Sequence, residues 1–194
     1  MVTPQTKKEN IVDEINGISI ADPYRWLEDS NSKEVADWIG VQNQHTDSIL
    51  RNDNQSKFSD ELVKNFKVGN FSNLVPVRGR YFYTERQPDE DQMVLYFKDE
   101  LDGTPIKLVD PNGKKKDNTI TIDYWFPGWT GKYVAYGLSE AGDEMATLYV
   151  IDVDKNENLR DEIIHCRYSS VRWLPDDSGF FYTRNPRPGT VPKN

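Results

Sequence analysis

The feature that most constrains the fold is a repeated pattern in which a polar turn leads into an aromatic strand. Residues 129–136 (WTGKYVAY) align with residues 175–182 (PDDSGFFY) at an offset of 46, and a weaker copy, residues 78–83 (RGRYFY), ends 53 residues before Tyr136. A spacing of about 40 to 50 residues is typical of the four-stranded blades of a β-propeller. An ordinary β-meander with aromatic strands would give the same pattern, so the repeat alone leaves both folds open.

Alternation of apolar and polar residues predicts a series of strands after residue 80, separated by turns rich in Gly, Pro, Asn and Asp. The predicted strands are Arg80–Arg86, Gln92–Lys98, Pro105–Val109, Lys132–Ser139, Met145–Val153, Asp161–His165, Ser170–Leu174 and Gly179–Arg184. Aromatic residues make up 12% of the chain and suit the half-buried faces of strands. We therefore expect a mainly β fold over this region.

The first third of the chain has a different pattern. Residues 1–20 predict an irregular arm with one extended piece. Asn31, followed three positions later by Glu34, predicts the start of a helix through a capping box. A second helix is predicted to begin near Ser56 and to end at Gly69, because apolar residues recur four apart between them.

The charge balance excludes some partners. The chain has 24 Lys and Arg against 32 Asp and Glu, a formal net charge of −8, and its longest basic run is the three lysines at 114–116. Binding to nucleic acid needs clustered positive charge, so we expect no nucleic-acid partner. No apolar run is long enough to span a bilayer, and the N-terminus lacks the apolar stretch of a signal peptide. We therefore expect a cytoplasmic protein with no membrane partner.

The sequence offers little for metal or cofactor chemistry. Cys166 is the only cysteine, so no disulfide can form within the chain. The possible metal ligands His45, His165 and Cys166 do not have the spacing of a zinc site. Neither a P-loop nor a dinucleotide-binding motif occurs. We expect no metal and no cofactor.

A serine nucleophile is also poorly supported. Ser19 lies in residues 17–21 (GISIA), the nearest approach to a nucleophile elbow, but isoleucines flank it where small residues are needed. The helix that should follow is replaced by Asp-Pro. Acidic pairs such as Asp176 and Asp177 are better explained as turn residues than as a catalytic pair. These residues predict no self-sufficient active site.

Residues 22–29 (DPYRWLED) closely resemble the DPYxWLE(D/N) segment near the N-terminus of the prolyl oligopeptidase family. The resemblance continues in order, and the further matching segments are Trp38, residues 42–46 (QNQHT), 110–112 (DPN), 132–139 (KYVAYGLS), 171–173 (VRW) and 179–182 (GFFY). It covers most of the 194 residues. The Asp-Pro form of the first segment favours prolyl oligopeptidase proper over the related oligopeptidases B.

This resemblance implies an architecture. Members of the family have an α/β-hydrolase domain formed by the N-terminal segment and the C-terminal part of the chain, with a seven-bladed propeller between them. The chain is then expected to be a fragment, with an N-terminal helical segment over residues 1–70 that packs on the hydrolase domain. The first two to three blades of the propeller are expected over residues 71–194. The aromatic side chains of residues 22–29 would bury apolar surface against that domain.

The resemblance also implies an activity. The full-length protein is expected to be a serine endopeptidase that cleaves short proline-containing oligopeptides on the C-terminal side of proline, with the propeller limiting substrate size. The family's Ser-Asp-His triad lies in the hydrolase domain, so no catalytic residue is assigned here and this chain alone is expected to be inactive. The alternatives are a truncated, non-catalytic β-propeller interaction module and a complete small β protein.

Two residues match family positions in the substrate cavity, which implies a substrate-binding role for each. Tyr168 stands at a position that is usually Phe and lines the pocket for substrate residues upstream of the proline. Glu144 stands where the family usually has an acidic residue before Trp, and that acid is thought to pair with an arginine of the hydrolase domain. In this chain Met145 follows Glu144 instead. The alternatives are a core or edge aromatic for Tyr168 and a solvated turn acid for Glu144.

Overall fold

The computed structural model describes residues 3–51, 53–114 and 119–186. It separates into two compact units, Met1–Asn65 and Phe66–Asn194. Across the described residues, every helix is too short or too polar to cross a membrane.

The first unit contains a hairpin and the helices. Its elements are β1 (Val12–Ile15), β2 (Ile18–Ala21), a short 3-10 helix (Arg25–Glu28), α1 (Lys33–Leu50) and α2 (Asp53–Phe66), the last of which ends where the second unit begins. The prediction of an irregular arm with one extended piece was incomplete, because β1 and β2 pair as an antiparallel hairpin. Asn16 and Gly17 join them with positive φ angles of 52° and 78°, which suits a two-residue hairpin turn.

Both predicted helices form, with shifted ends. The Ser32 hydroxyl, and not the Asn31 side chain, caps α1 by accepting a hydrogen bond of 3.2 Å from the Glu34 backbone N–H. The second helix, α2, starts at Asp53, before the predicted Ser56, and it ends before Gly69. Such shifts arise because several neighbouring polar residues can each cap a helix.

Residues 22–29 fold onto their own unit. The Arg25 guanidinium bonds the carboxylates of Asp22 and Asp13. The Trp26 ring lies edge-on to Trp38, with centroids 6.3 Å apart, and its indole N–H donates to a backbone carbonyl. Tyr24 remains 39% exposed. Charges and rings therefore fix this segment to the hairpin and to α1.

The second unit consists of two four-stranded antiparallel sheets followed by a two-stranded hairpin. The first sheet contains β3 (Asn70–Val77), β4 (Arg80–Arg86), β5 (Val94–Lys98) and β6 (Ile106–Val109), and the second contains β7 (Ile120–Pro127), β8 (Tyr133–Glu140), β9 (Asp143–Asp152) and β10 (Glu157–Ile163). The hairpin pairs β11 (Arg172–Trp173) with β12 (Phe180–Phe181). Neighbours in each sheet are consecutive in the chain, which is the meander topology of propeller blades.

The predicted repeat corresponds to the first hairpin of each sheet. Residues 78–83 span the β3–β4 turn, residues 129–136 span the β7–β8 turn, and residues 175–182 span the β11–β12 turn. The three copies therefore mark equivalent hairpins in successive sheets, so the sequence repeat reflects a repeat of the fold.

The strand prediction missed the first strand of each sheet, β3 and β7. Each pairs with its neighbour through a register shift, between Ser72 and Val75 in β3 and between Ile122 and Tyr124 in β7. A bulge interrupts the two-residue period on which strand prediction depends. The last two predicted strands are shorter than expected, and the strand predicted over Asp161–His165 begins earlier, at Glu157.

The apolar core lies on both faces of the second sheet. On one face, Val134 and Tyr136 of β8 pack with Phe82 and Leu95 of the first sheet. On the other face, Ala135 packs in a second cluster, whose further buried members are Leu148, Val150, Cys166 and Val171. Because successive strand residues point to opposite faces, β8 is buried along nearly its whole length.

A buried carboxylate joins the second sheet to the β11–β12 hairpin. Asp177 is 6% exposed and has a φ of 55° in the turn before β12. Its carboxylate accepts hydrogen bonds from the backbone N–H groups of Trp129 (2.7 Å) and Thr130 (2.9 Å) and from the Thr130 hydroxyl. The Asp177 carboxylate therefore serves as the acceptor for these N–H and hydroxyl groups of the β7–β8 turn.

A close contact fixes Tyr124 over the second sheet. A Cβ placed on Gly137 would lie 2.3 Å from Cζ of the Tyr124 ring, so only glycine leaves room for the ring at this position. The Tyr124 hydroxyl donates a hydrogen bond of 3.0 Å to the Cys166 carbonyl. Burial raises the pKa of Tyr124, so the hydroxyl keeps its proton and remains a donor.

We predict that Asp177→Ala lowers the free energy of unfolding by about 1–3 kcal/mol, because backbone donors at the β7–β8 turn lose their acceptor. Asp177→Asn keeps one acceptor oxygen and tolerates the left-handed backbone, so it should lose less. Urea denaturation followed by tryptophan fluorescence measures both. Asp89→Ala, at an exposed acid in the β4–β5 turn, is the matched control and should change the free energy by no more than about 0.5 kcal/mol. Equal losses at the two positions would contradict the assigned role of Asp177.

We predict that Gly137→Ala costs about 1–3 kcal/mol, because the added methyl group forces the Tyr124 ring out of place. The matched control is Gly40→Ala in α1, where an added Cβ meets nothing within 4 Å. That change should stabilise the helix by about 0.5–1 kcal/mol, since glycine is unfavourable inside helices. Thermal unfolding followed by circular dichroism compares the two variants. A Gly137→Ala protein as stable as the unsubstituted chain would show that the close contact is unimportant.

Candidate functional site

The structure brings together the two residues that the sequence singles out as candidates. Glu144 lies at the start of β9, directly after the tight β8–β9 turn, and Tyr168 lies in the segment between β10 and β11. Arg167 connects them, because its guanidinium forms an ion pair with the Glu144 carboxylate and lies 5.0 Å from the centroid of the Tyr168 ring. We call Glu144, Arg167 and Tyr168 the Tyr168 cluster.

The Tyr168 segment is anchored on both sides of its exposed pair. On the N-terminal side, Cys166 is completely buried, its N–H donates to the Ala146 carbonyl (2.9 Å), and its carbonyl accepts the Tyr124 hydroxyl. On the C-terminal side, Ser169 is 5% exposed and its hydroxyl donates to the Thr183 carbonyl (2.8 Å). Arg167 and Tyr168 lie between these anchors and face solvent.

The backbone helps to turn Tyr168 outward. Its φ is 49°, in the left-handed region that residues other than glycine rarely adopt, and His165 has a φ of 65° in the same segment. The Tyr168 side chain is 69% exposed. Backbone strain of this kind persists only where surrounding contacts enforce it, and it is concentrated at functional sites. The anchored segment therefore presents a large aromatic ring on the surface of the described residues.

The charges of the cluster compensate one another. The nearby Tyr168 hydroxyl and the Arg167 guanidinium lower the pKa of Glu144, so this carboxylate is ionised at neutral pH. The Glu144 carboxylate in turn raises the pKa of Arg167. Burial raises the pKa of Asp123 in β7, and the negative charge of Glu144 contributes in the same direction. Arg167 is thus the cation that balances Glu144 in a locally acidic region.

Sequence reasoning missed Arg167. The residue matches no motif used for the prediction, and the pairing with Glu144 joins positions 23 residues apart. Only its place beside Tyr168 could have drawn attention to it. Its role becomes visible once the fold brings the start of β9 next to the β10–β11 segment.

The cluster lies on open surface, and none of its three residues lines the shallow depression formed mainly by β8 and β9. That depression has a volume of about 240 Å³ and is lined in part by Glu140, Asp143 and Met145. A more apolar groove of about 660 Å³ lies elsewhere in the unit, between the ends of β3, β7 and β11, and Trp129 and Trp173 are among the residues that line it. The cluster can therefore offer one face of a binding site, with the opposite face supplied by whatever covers it.

The remaining sequence candidates do not assemble a catalytic centre. Ser19 lies within β2, paired with Glu14 of β1, so it does not occupy a strand-to-helix turn. Cys166 is a buried free thiol whose pKa is raised by burial, which makes it a poor nucleophile. Within the described ranges, no group of three His, Cys, Asp or Glu side chains is arranged to bind a metal ion.

Comparison with known proteins identifies the fold. The family model described as the prolyl oligopeptidase N-terminal β-propeller domain matches residues 4–194. A solved prolyl endopeptidase structure matches 98% of this chain with a TM-score of 0.79 and 33% identity. Prolyl oligopeptidase B of Galerina marginata, solved with a 35-residue substrate, matches 95% of it with a TM-score of 0.71 and 25% identity. The two sheets and the third hairpin are therefore the first blades of a propeller, which decides between the two folds that the repeat alone left open.

Curated relatives agree with this result. A prolyl endopeptidase of Elizabethkingia meningoseptica is 30% identical over an alignment that includes 97% of this chain, and prolyl oligopeptidase A of Galerina marginata is 31% identical over one that includes 90% of it. The chain spans 27% and 26% of the lengths of these two proteins. With the fold and the family model pointing to the same proteins, this chain belongs to the prolyl oligopeptidase family, as an N-terminal portion that carries the first propeller blades.

Proposed function

We propose that the chain is the N-terminal part of a serine oligopeptidase that cleaves short peptides on the C-terminal side of proline. The observation that carries this proposal is the family match over residues 4–194, together with relatives that are themselves prolyl endopeptidases. The propeller blades contribute by restricting which peptides reach the active site. The bond-breaking chemistry belongs to a hydrolase domain that the described residues do not contain.

The partner of the first unit is, in this proposal, the hydrolase domain of the same full-length protein. Phe58 and Leu62 lie four residues apart on α2, so they share one helix face, and they are 69% and 52% exposed. On α1, Ile39 and Ile49 are each 46% exposed. Helices of soluble proteins bury their apolar faces against another element. A hydrolase domain formed partly by the chain's N-terminal segment provides that element.

Within this proposal, Tyr168 and Glu144 face the substrate. The exposed Tyr168 ring offers an apolar surface to a peptide residue upstream of the proline, and its rigid attachment to buried Cys166 and Ser169 limits the entropy lost on binding. Glu144 supplies a carboxylate at the edge of the same surface. Neither residue takes part in acyl transfer, so each acts on substrate binding and selection.

We predict that the 194-residue chain alone does not hydrolyse a chromogenic Gly-Pro-p-nitroanilide peptide and does not react with a fluorophosphonate probe for active serines. The physical reason is that Ser19, the best candidate in the sequence, lacks the geometry of an activated nucleophile. Absorbance at the p-nitroaniline wavelength and gel fluorescence measure the two outcomes. Specific turnover or labelling by the purified chain would contradict the proposed division of labour.

We further predict that this chain can replace the matching segment of the Elizabethkingia meningoseptica enzyme. The chimera should cleave the Gly-Pro substrate but not a folded protein substrate, because the propeller excludes large substrates. Tyr168→Ala in the chimera should lower kcat/KM for a Leu-Gly-Pro substrate by about tenfold, mainly through KM, since an aromatic contact that is buried on binding contributes about 1–1.5 kcal/mol. Tyr182→Ala, at another partly exposed tyrosine, is the control and should leave kcat/KM unchanged.

A folded chimera that lacks proline-specific cleavage would contradict the proposal. Circular dichroism and size-exclusion chromatography establish whether the chimera is folded. If it is not folded, the chain is placed instead in a second chimera, with the matching segment of prolyl oligopeptidase A of Galerina marginata replaced, and assayed in that form. Absence of proline-specific cleavage by that protein would be equally decisive against the proposed function.

A further inference from the structure

Arg167 has the contacts expected of a residue that organises a binding surface. It touches both other members of the cluster, forming the ion pair with Glu144 and lying over the Tyr168 ring at 5.0 Å. A guanidinium suits this double role because it is planar, always charged, and can stack on a ring while it donates to a carboxylate. The Glu144 and Arg167 side chains are each about half-exposed, so the pair is accessible to a ligand.

The second relevant fact is the charge around the cluster. Glu144 and Asp143 are adjacent on β9, and the charge of Glu144 is felt by Asp123 on β7. The Asp143 carboxylate is used locally, since it accepts the Met145 backbone N–H at 3.1 Å. Arg167 is the cation that pairs with Glu144 in this chain, in the role that the family resemblance assigns to an arginine of the hydrolase domain. Without it, the Glu144 carboxylate beside Tyr168 would lose the cation that pairs with it.

We propose that Arg167 is a positioning and specificity-determining residue, which holds the Tyr168 ring in place and masks the charge of Glu144. This inference rests on the proposed function, since it assigns the surface to substrate binding. The masked surface favours neutral, apolar peptide residues upstream of the proline. Loss of Arg167 would expose an acidic surface that favours lysine or arginine at that substrate position instead.

The positioning part is tested in the 194-residue chain itself, by NMR. In the unsubstituted chain, the Glu144 carboxyl carbon should titrate below its ordinary range, and the fluorine signal of 3-fluorotyrosine at Tyr168 should be that of a restrained ring. In Arg167→Ala, the Glu144 carboxyl should titrate at a higher pH than in the unsubstituted chain. The fluorine signal of Tyr168 should narrow, because its ring becomes mobile. Arg167→Lys keeps the positive charge but cannot stack on the Tyr168 ring. It should therefore return the Glu144 titration close to that of the unsubstituted chain while the Tyr168 ring stays mobile.

Arg160→Ala is the matched control. Arg160 lies on exposed β10, and its removal changes the net charge by the same amount. It should leave both signals unchanged. Unaltered Glu144 and Tyr168 signals in Arg167→Ala, or equal effects of Arg160→Ala, would overturn the positioning role.

The specificity part is tested in the chimera, with two Gly-Pro peptides that carry either leucine or lysine at the upstream position. Arg167→Ala should shift the ratio of kcat/KM values toward the lysine peptide by about threefold, the effect of one exposed charge pair, and should do so through KM. Glu144→Gln combined with Arg167→Ala should cancel the shift, because the unmasked charge is then gone.

The outcomes separate the two proposals. If the chimera is active and Arg167→Ala leaves the ratio of kcat/KM values for the two peptides unchanged, the inference on specificity is overturned and the proposed function stands. A folded but inactive unsubstituted chimera overturns the proposed function, and with it the substrate role of the cluster. The NMR measurements decide the positioning role in either case, because they need no activity.

Discussion

Burial of the second sheet on both faces is the constraint on which the rest of the structure depends. Val134 and Tyr136 face the first sheet, while Ala135 faces the β11–β12 side. A strand buried in this way cannot be stable in an isolated meander, because one of its apolar faces would meet water. Stacking of successive sheets is therefore required by the sequence of β8, and the repeat of aromatic strands is its visible sign.

The same packing positions the candidate site. The absence of a side chain at Gly137 leaves room for the Tyr124 ring, and the Tyr124 hydroxyl then reaches the Cys166 carbonyl. That bond, with the burial of Cys166 and Ser169, fixes the two ends of a segment whose exposed residues are Arg167 and Tyr168. The packed core therefore restrains the segment that carries the exposed Tyr168, the residue that we propose to bind substrate, so that little entropy would be lost on binding.

Parts of this arrangement could be predicted from sequence and others could not. The aromatic strands β4 and β8 were predicted well, because their apolar patterns follow from strong burial. Bulges hid β3 and β7, since a local irregularity removes the two-residue period. Tyr168 and Glu144 came from family resemblance alone. Arg167 and the buried acceptor role of Asp177 depend on contacts between residues 23 or more positions apart, which no local pattern encodes.

The most direct test of the account is a crystal structure of the chain joined to a hydrolase domain, with a proline-containing peptide bound in place of substrate. The account predicts that the Tyr168 ring is in van der Waals contact with a peptide residue upstream of the proline, that Arg167 still bridges Tyr168 and Glu144, and that the apolar face of α2 is covered by the hydrolase domain. A peptide bound at the active site with Tyr168 remote from it and facing solvent would contradict the central claim that this cluster belongs to the substrate site.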